Sequence, residues 1–280
     1  MTGKVVVITG ATSGIGQVAA EKLAGMGARI VVVARDRTRG ESTLARLNAI
    51  NPGVEHGIHY ADLSRISEMK RVASEIAAVE PRIDVLVNNA GAMFGSPQVT
   101  GDGLEMTFAT NHLSYFVLTL GLRERLLASS PSRIVNTSSD AHRRAKLDFS
   151  DLQSSRDYGA FKVYGRSKLC NILFTRELAR RLEGTGVTAN SLHPGFVATR
   201  FGDHSGGAFA TVIRLAKNFA LSPEQGAETI VYLASSEEPA HVTGAYFYKC
   251  RQSTPTNEAR DGDAAARLWN ESAMLAGLNA

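Results

Sequence analysis

Short runs of aliphatic and β-branched residues alternate with longer stretches of helical periodicity along this chain. Lys4–Thr9 (KVVVIT) is almost wholly apolar, the pattern of a strand covered on both faces. Gly14–Met26 then carries apolar positions at helical spacing and is closed by Gly27. The cycle repeats. Ala28–Ala34 is a second strand, and Arg37–Ile50 a helix stopped by Asn51-Pro52-Gly53. His56–Ala61 is a third strand, followed by a helix capped by Ser64 and running to Val79. Ile83–Val87 is a fourth strand, Leu104–Ser129 a long helix, and Arg133–Thr137 a fifth strand. Tyr164–Glu183 is a second long helix ended by Gly184-Thr185-Gly186, Val187–His193 a sixth strand, and Ala245–Tyr248 a seventh. Strands alternating with helix-length connections signal a parallel sheet, because a parallel pair needs a crossover. The pattern therefore predicts an α/β chain with a doubly wound parallel sheet of about seven strands and helices on both faces. No linker, repeat or low-complexity tract interrupts it, so residues 1–280 are expected to form a single domain.

Two segments exceed what simple connections need. Arg143–Phe161 is long and polar, and long loops in compact domains are often functional. Within about 196–222, Phe209, Val212, Ile213, Ala216 and Phe219 make an apolar stripe at helical spacing, opposite Arg214 and Lys217. A lid over an apolar substrate is the favoured reading, with Gly206-Gly207 as its hinge. Core packing and a membrane-surface helix are the alternatives.

Composition narrows the function classes. Apolar residues make up 44% and charged residues 21% of 280, ordinary for a soluble globular protein. The net charge is only +4 and the basic residues are interleaved with acidic ones, so no nucleic-acid-binding face is expected. Two cysteines, Cys170 and Cys250, make no disulfide framework and point to a reducing compartment. The seven histidines are scattered, so no metal site is argued. The first strand starts at Lys4, which leaves no room for a leader, and no apolar run approaches the roughly 18 residues of a membrane span. A cytoplasmic protein without an integral membrane segment is expected.

The first strand-to-helix turn carries the first chemistry. Thr9-Gly10-Ala11-Thr12-Ser13-Gly14-Ile15-Gly16 has glycines spaced G-x-x-x-G-x-G. A glycine-rich turn between a first strand and a helix N-terminus is built to receive a pyrophosphate. We assign this cradle to Gly10, Thr12, Ser13, Gly14, Ile15 and Gly16. In such Rossmann sheets ligands sit beyond the carboxyl ends of the strands. Asp62-Leu63 after the third strand could frame an adenine there, and Asn88-Asn89-Ala90-Gly91 ends the fourth strand in the same crevice. The second strand ends in Ala34-Arg35-Asp36. An acid at this place would hydrogen-bond a ribose hydroxyl and select NAD, whereas a guanidinium would pair with a 2′-phosphate. With Asp36 turned away and Arg35 facing the phosphate, alone or with Arg37 or Arg39, NADP(H) is favoured over NAD(H).

The second chemistry is Tyr164-Gly165-Arg166-Ser167-Lys168, a phenol and an ammonium one helical turn apart. Another Tyr-x-x-x-Lys, Tyr158 to Lys162, lies close by. We choose the later pair, because Lys168 enters a helix whose Leu169, Ile172, Leu173 and Leu178 give it a coherent buried face.

Thr9–Gly16, Asn88–Gly91, Asn111, Ser138-Ser139, Tyr164–Lys168 and His193-Pro194-Gly195 occur in the order and rough spacing of the short-chain dehydrogenase/reductase family. The resemblance covers essentially the whole chain. The stretch Ser167–Leu178, Ala34-Arg35-Asp36 and the long interval from Ser139 to Tyr164 most resemble the retinol-dehydrogenase-like branch. Similarity to protochlorophyllide reductases is weaker. The resemblance implies a catalytic set of Asn111, Ser139, Tyr164 and Lys168. Tyr164 would exchange a proton with the substrate oxygen, and Lys168 would favour the phenolate and hold the nicotinamide ribose. Ser139 would hydrogen-bond the substrate oxygen, and Asn111 would anchor a water leading to Lys168. Cofactor contacts would also come from Asn88, Ala90, Gly91, Pro194, Gly195, Val197 and Thr199. Where the branch has glycine and histidine, this chain has Ser114 and Tyr115.

The expected activity is NADP(H)-dependent interconversion of a carbonyl and an alcohol on a hydrophobic small molecule, acting as a ketone or aldehyde reductase. The alternatives are a dinucleotide-sensing binding protein and a reductase of carbon–carbon double bonds. A homodimer or homotetramer through the two long helices is what the family resemblance implies.

Overall fold

The computed structural model describes residues 1–197 and 221–279. Most of the expected lid, Thr199 included, lies outside the described residues.

One eight-stranded sheet organises the chain, in the order β3-β2-β1-β4-β5-β6-β7-β8. Its strands are β1 Val5–Thr9, β2 Arg29–Ala34, β3 Gly57–Tyr60, β4 Val85–Asn88, β5 Ser132–Thr137, β6 Val187–His193, β7 Tyr246–Tyr248 and β8 Arg251–Ser253. The first seven are parallel, and β8 pairs antiparallel with β7. The order reverses between β1 and β4, so the crevice at their carboxyl ends is the topological switch point. β8 is the strand absent from the sequence reading. It is three polar residues long and follows a tight turn in which Lys249 and Cys250 both have positive φ. Neither alternation nor apolar content marks such an edge strand.

One face of the sheet packs on α1 (Gly14–Gly25), α2 (Arg37–Ile50) and α8 (Pro223–Ser235). The other packs on α3 (Ile66–Val79), α5 (Ser114–Gly121), α7 (Ala160–Arg181) and α9 (Gly262–Ala276). The sequence reading left α8 and α9 out, although both carry end signals. Ser222 and Gln225 form a reciprocal capping box on α8. Asp261 caps α9, and Gly277 closes it in the left-handed region. Helix α9 lies across both α5 and α7. Trp269 meets the Phe116 ring at 5.0 Å and the Phe174 ring at 5.9 Å, and the Arg181 guanidinium sits 4.2 Å over the indole.

Three local expectations are corrected. Ser64 does not cap α3, whose N-cap is Arg65 with no side-chain bond. Ser64 instead hydrogen-bonds Asp62, and the N–H of Ile66 finds the distant carboxylate of Asp102. The helix expected from Leu104 to Ser129 is not uniform. It begins as α4 (Met106–Phe108), widens into a π turn at Ala109–Leu113, and continues as α5 and then α6 (Arg123–Ala128). Helix α7 begins at Ala160, so Tyr164 sits in its second turn rather than opening it.

Candidate active site

The phosphate turn is held open by contacts that only glycine allows. Gly10 has φ +70, and a Cβ there would lie 2.8 Å from the Ala90 Cα. A Cβ on Gly16 would run into the Gly10 carbonyl and the Asn89 side-chain amide. Ser13, the N-cap of α1, makes no capping hydrogen bond, so the first-turn N–H groups face the turn without a side-chain acceptor. A dinucleotide pyrophosphate fits this arrangement. Thr9 locks the neighbouring strand end to it, its Oγ1 accepting from the N–H groups of Asn89 and Ala90, both at 2.9 Å. Asn89 reaches back, donating to the carbonyls of Thr9 at 3.1 Å and Gly10 at 3.3 Å. Sequence spacing points to Asn88 rather than Asn89 as the ligand contact. The Asn88 side chain points into the core, donating to Thr119 and the side chain of Asn136. Any ligand contact of Asn88 therefore falls to its backbone.

On the other side of the crevice, β5 and α7 bring Ser139, Tyr164 and Lys168 together. Sequence left two adjacent serines to choose between, and the strand pleat separates them. Ser138 is buried and donates to the Lys168 carbonyl at 2.7 Å. Ser139 is partly exposed and hydrogen-bonds the Tyr164 phenol. Lys168 is 3% exposed, and its Nζ donates to the Thr137 carbonyl at 3.1 Å. Nζ also lies 5.6 Å from the Tyr164 ring centre. Asn111 sits inside the π turn, a device that often marks functional positions. Its amide is committed: Oδ1 accepts from Ala92 N at 2.8 Å, and Nδ2 donates to Ala92 O at 2.9 Å and Ser167 Oγ at 3.0 Å. The earlier Tyr-x-x-x-Lys pair is split. Tyr158 donates to the Phe94 carbonyl, and Lys162 pairs with Asp157.

The chain matches the short chain dehydrogenase family over residues 4–206. It is 42% identical to human retinol dehydrogenase 13, over 99% of this chain and 86% of that protein. Among solved structures, an uncharacterised protein from Mycobacterium paratuberculosis superposes with a TM-score of 0.79 at 31% identity, covering 99% and 95% of the two chains. The RhlG/NADP complex of Pseudomonas aeruginosa gives 0.70 at 28% identity, covering 88% and 94%.

The chain is a short-chain dehydrogenase.

Its relatives put this dehydrogenase in the retinol-dehydrogenase-like branch. It is therefore an oxidoreductase of alcohols and carbonyls that uses a nicotinamide dinucleotide. In the dehydrogenase, Gly16→Ala is expected to lower dinucleotide affinity at least tenfold and to destabilise the fold by about 1–3 kcal/mol. Calorimetric titration with a thermal melt checks both. Unchanged affinity would mean that the Gly10–Gly16 contact does not shape the cradle.

Burial sets the electrostatics of Tyr164 and Lys168. It pushes the Tyr164 phenol up to about 12, with the Ser139 hydrogen bond opposing the rise. It pulls the Lys168 ammonium down to about 7. Around Ser139 lies a polar brace that sequence reasoning did not single out. The Ser139 carbonyl meets His142 Nδ1 at 2.7 Å. Asp140 accepts from Arg143 at 2.9 Å and from the Tyr246 hydroxyl at 3.3 Å. His193 Nε2 lies 3.9 Å from Asp140, and burial holds this imidazole down at about 4. The sequence signal for the brace was slight, because β7 delivers Tyr246 from 106 residues away.

At the carboxyl end of β2, Asp36 caps α2. Its Oδ1 accepts from Arg39 N at 2.8 Å. The Arg37 guanidinium lies 4.6 Å over the Tyr60 ring. Arg35 is exposed and forms no ion pair or side-chain hydrogen bond among the described residues. Asp62 is occupied with the Ser64 turn. After β6, Gly195 has φ +89, and Val197 bridges to Leu221.

Proposed function

We propose that this dehydrogenase uses NADP(H) and reduces the carbonyl of an apolar aldehyde or ketone, in the cytoplasm. The observation that carries the cofactor choice is the division of labour after β2. Asp36 Oδ1 is engaged in the helix cap, while Arg35 is an open cation at the same strand end. A carboxylate turned to a backbone N–H is the less available partner for a ribose hydroxyl, and an open guanidinium suits a phosphate. The NADP bound by the Pseudomonas aeruginosa relative supports the same reading.

In this reading Gly10, Thr12, Ser13, Gly14, Ile15 and Gly16 hold the pyrophosphate. Asp62 and Leu63 flank the adenine, and the backbone of Asn88, Ala90 and Gly91 lines the crevice. Pro194, Gly195 and Val197 would flank the nicotinamide, which would supply the hydride in reduction; Thr199, assigned to the same group from the sequence, lies outside the described residues. Ser139 orients the substrate oxygen through its hydroxyl. Tyr164 donates its phenolic proton to that oxygen, and the Lys168 charge stabilises the phenolate left behind. With its amide fixed on Ala92 and Ser167, Asn111 holds the loop carrying Gly91 against the lysine. Helix α9 covers part of the α5–α7 face, so we assign any homodimer or homotetramer contact to another surface. No helix among the described residues is long and apolar enough to cross a membrane.

Titrating NADPH and NADH into wild type and Arg35→Ala tests the cofactor choice. NADPH is expected to bind at least tenfold tighter than NADH to the wild type. Arg35→Ala is expected to remove about 10–100-fold of NADPH affinity, the size of one charge-assisted contact, and to leave NADH unchanged. Equal binding of the two cofactors by the wild type would sink the assignment. Incubation with NADPH and apolar enals then separates carbonyl from carbon–carbon reduction, because the first yields an allylic alcohol and the second a saturated aldehyde.

A further inference from the structure

Lys168 is a buried cation with little to offset its burial. The residue is 3% exposed, and its Nζ hydrogen-bonds a neutral carbonyl, that of Thr137, at 3.1 Å. No carboxylate among the described residues forms an ion pair with it. A buried ammonium so placed tends to lose its proton unless something else favours the charge. Two aromatic faces stand close to it. Nζ lies 5.6 Å from the centre of the Tyr164 ring on its own helix and 5.7 Å from that of Tyr115 on α5. Both distances fall within the roughly 6 Å over which a ring face attracts a cation.

The backbone explains how Tyr115 comes to be there. The π turn at Ala109–Leu113 directly precedes α5 and sets the phase of its first turn. Asn111 and Tyr115 then meet successive residues of α7: Asn111 bonds Ser167, and Tyr115 flanks Lys168. Tyr115 is fully buried, and its hydroxyl has no hydrogen-bond partner among the described residues. The part of this side chain in use is therefore the ring. Thr137 of β5 offers Lys168 only its carbonyl, and Gly91 and Asn111 on the remaining side carry no charge.

We propose that Tyr115 is a positioning residue: its ring and that of Tyr164 form a two-walled slot that keeps the Lys168 ammonium charged and aimed at the reacting phenol. The role in turnover rests on the carbonyl-reductase reading above, whereas the slot itself does not. Lys168 must be charged to stabilise the Tyr164 phenolate, so losing the second wall should end activity at a lower pH. The proposal predicts which atoms matter. Tyr115→Phe keeps the wall, while Tyr115→Leu and Tyr115→Met remove it.

The experiment is a pH titration of lysine side-chain carbons by NMR on the intact protein, with Lys168 assigned through the signal lost in Lys168→Met. Wild type and Tyr115→Phe are expected to titrate together. Tyr115→Leu and Tyr115→Met are expected about one pH unit lower, the size of a desolvated cation–ring contact. The alkaline limb of turnover should move down by the same amount. Methionine is unbranched and adapts to an irregular gap, so Tyr115→Met decides the matter if Tyr115→Leu fails to fold. Two results overturn the proposal: Leu and Met variants titrating with the wild type, or Tyr115→Phe falling with them. The titration needs no substrate, so a protein that reduces no carbonyl would defeat the functional reading while the slot is still judged on its own.

Discussion

Tyr164→Phe is expected to lower kcat for carbonyl reduction by about 10³-fold while leaving cofactor affinity within about twofold. The size is that of losing a positioned general acid, about 10²–10⁴-fold. The substitution is clean. Tyr164 is only partly buried, and the backbone carbonyl that accepts from Ser167 Oγ at 2.7 Å is unaffected by a change of ring substituent. The Ser139 hydroxyl loses its phenolic partner but keeps the Ala141 N–H at 3.2 Å. Steady-state kinetics beside calorimetric titration of NADPH reads both quantities. A variant that keeps more than a tenth of wild-type kcat would remove Tyr164 from the chemistry. It would also revive the reading of the protein as a dinucleotide sensor, since a sensor has no use for the phenolic proton. The pH dependence carries a matching sign. With the phenol held high, Tyr164 keeps the proton that reduction needs through neutral pH, and the alkaline limb of turnover is set by loss of the Lys168 charge.

Lys168→Met is expected to abolish turnover and to stabilise the fold. Burial lowers the Lys168 ammonium from an ordinary 10.5 to about 7. Between those values the unfolded chain binds a proton that the folded chain does not, so this group's contribution to stability rises with pH across that window. Below about pH 7 both states are protonated and the penalty of burying the charge is fully present. Methionine fills similar volume without a charge, and replacing an unpaired buried ion by an apolar side chain commonly stabilises. The loss of the hydrogen bond to the Thr137 carbonyl offsets part of the gain. The net effect at pH 6.5 should be about 2–4 kcal/mol, or about 3–7 °C in Tm for a chain of this size. It should shrink toward zero near pH 10. Thermal melts of wild type and Lys168→Met at pH 6.5 and pH 10 measure the difference directly. A lower Tm for Lys168→Met at pH 6.5 would show that the lysine is compensated in the fold by more than ring faces and one carbonyl. The prediction also states a trade-off in physical form: the group that activates the phenol is one the folded chain would be more stable without.

Which parts of this molecule could be read from the chain depends on whether the controlling interaction is local. The alternation of β1, α1 and β2 was legible because strands buried on both faces must be apolar throughout, and KVVVIT and its successors are. The cradle was legible because a positive-φ turn with backbone packed against it admits only glycine, as at Gly10 and Gly16. Tyr164 and Lys168 were legible because four residues make one helical turn. The branch to which the dehydrogenase belongs was legible from the same ordered motifs. By contrast, the choice between Ser138 and Ser139 rested on family resemblance until the pleat of β5 turned one hydroxyl to the Lys168 carbonyl and the other to Tyr164. Asn88 looked like a ligand-facing residue, and only the packing of α5 against β4 and β5 shows its amide bound to Thr119 and Asn136. Ser64 carried the local signature of a helix cap, but a carboxylate 36 residues away took the N–H of Ile66. The π turn around Asn111, the brace of His142, Asp140 and Tyr246 behind Ser139, and the second ring beside Lys168 left no local trace.

The sequence by itself determined the fold class, the glycine turn after β1 and the Tyr164–Lys168 pairing, because each is written in residues within one turn, one strand or one helical period of each other. The tertiary structure decided the rest: which serine faces the phenol, what occupies Asp36 and leaves Arg35 open, and how Tyr115 reaches Lys168. Those facts depend on side chains that meet across the sheet or between helices, where the partner is fixed by packing and its identity cannot be inferred from spacing along the chain.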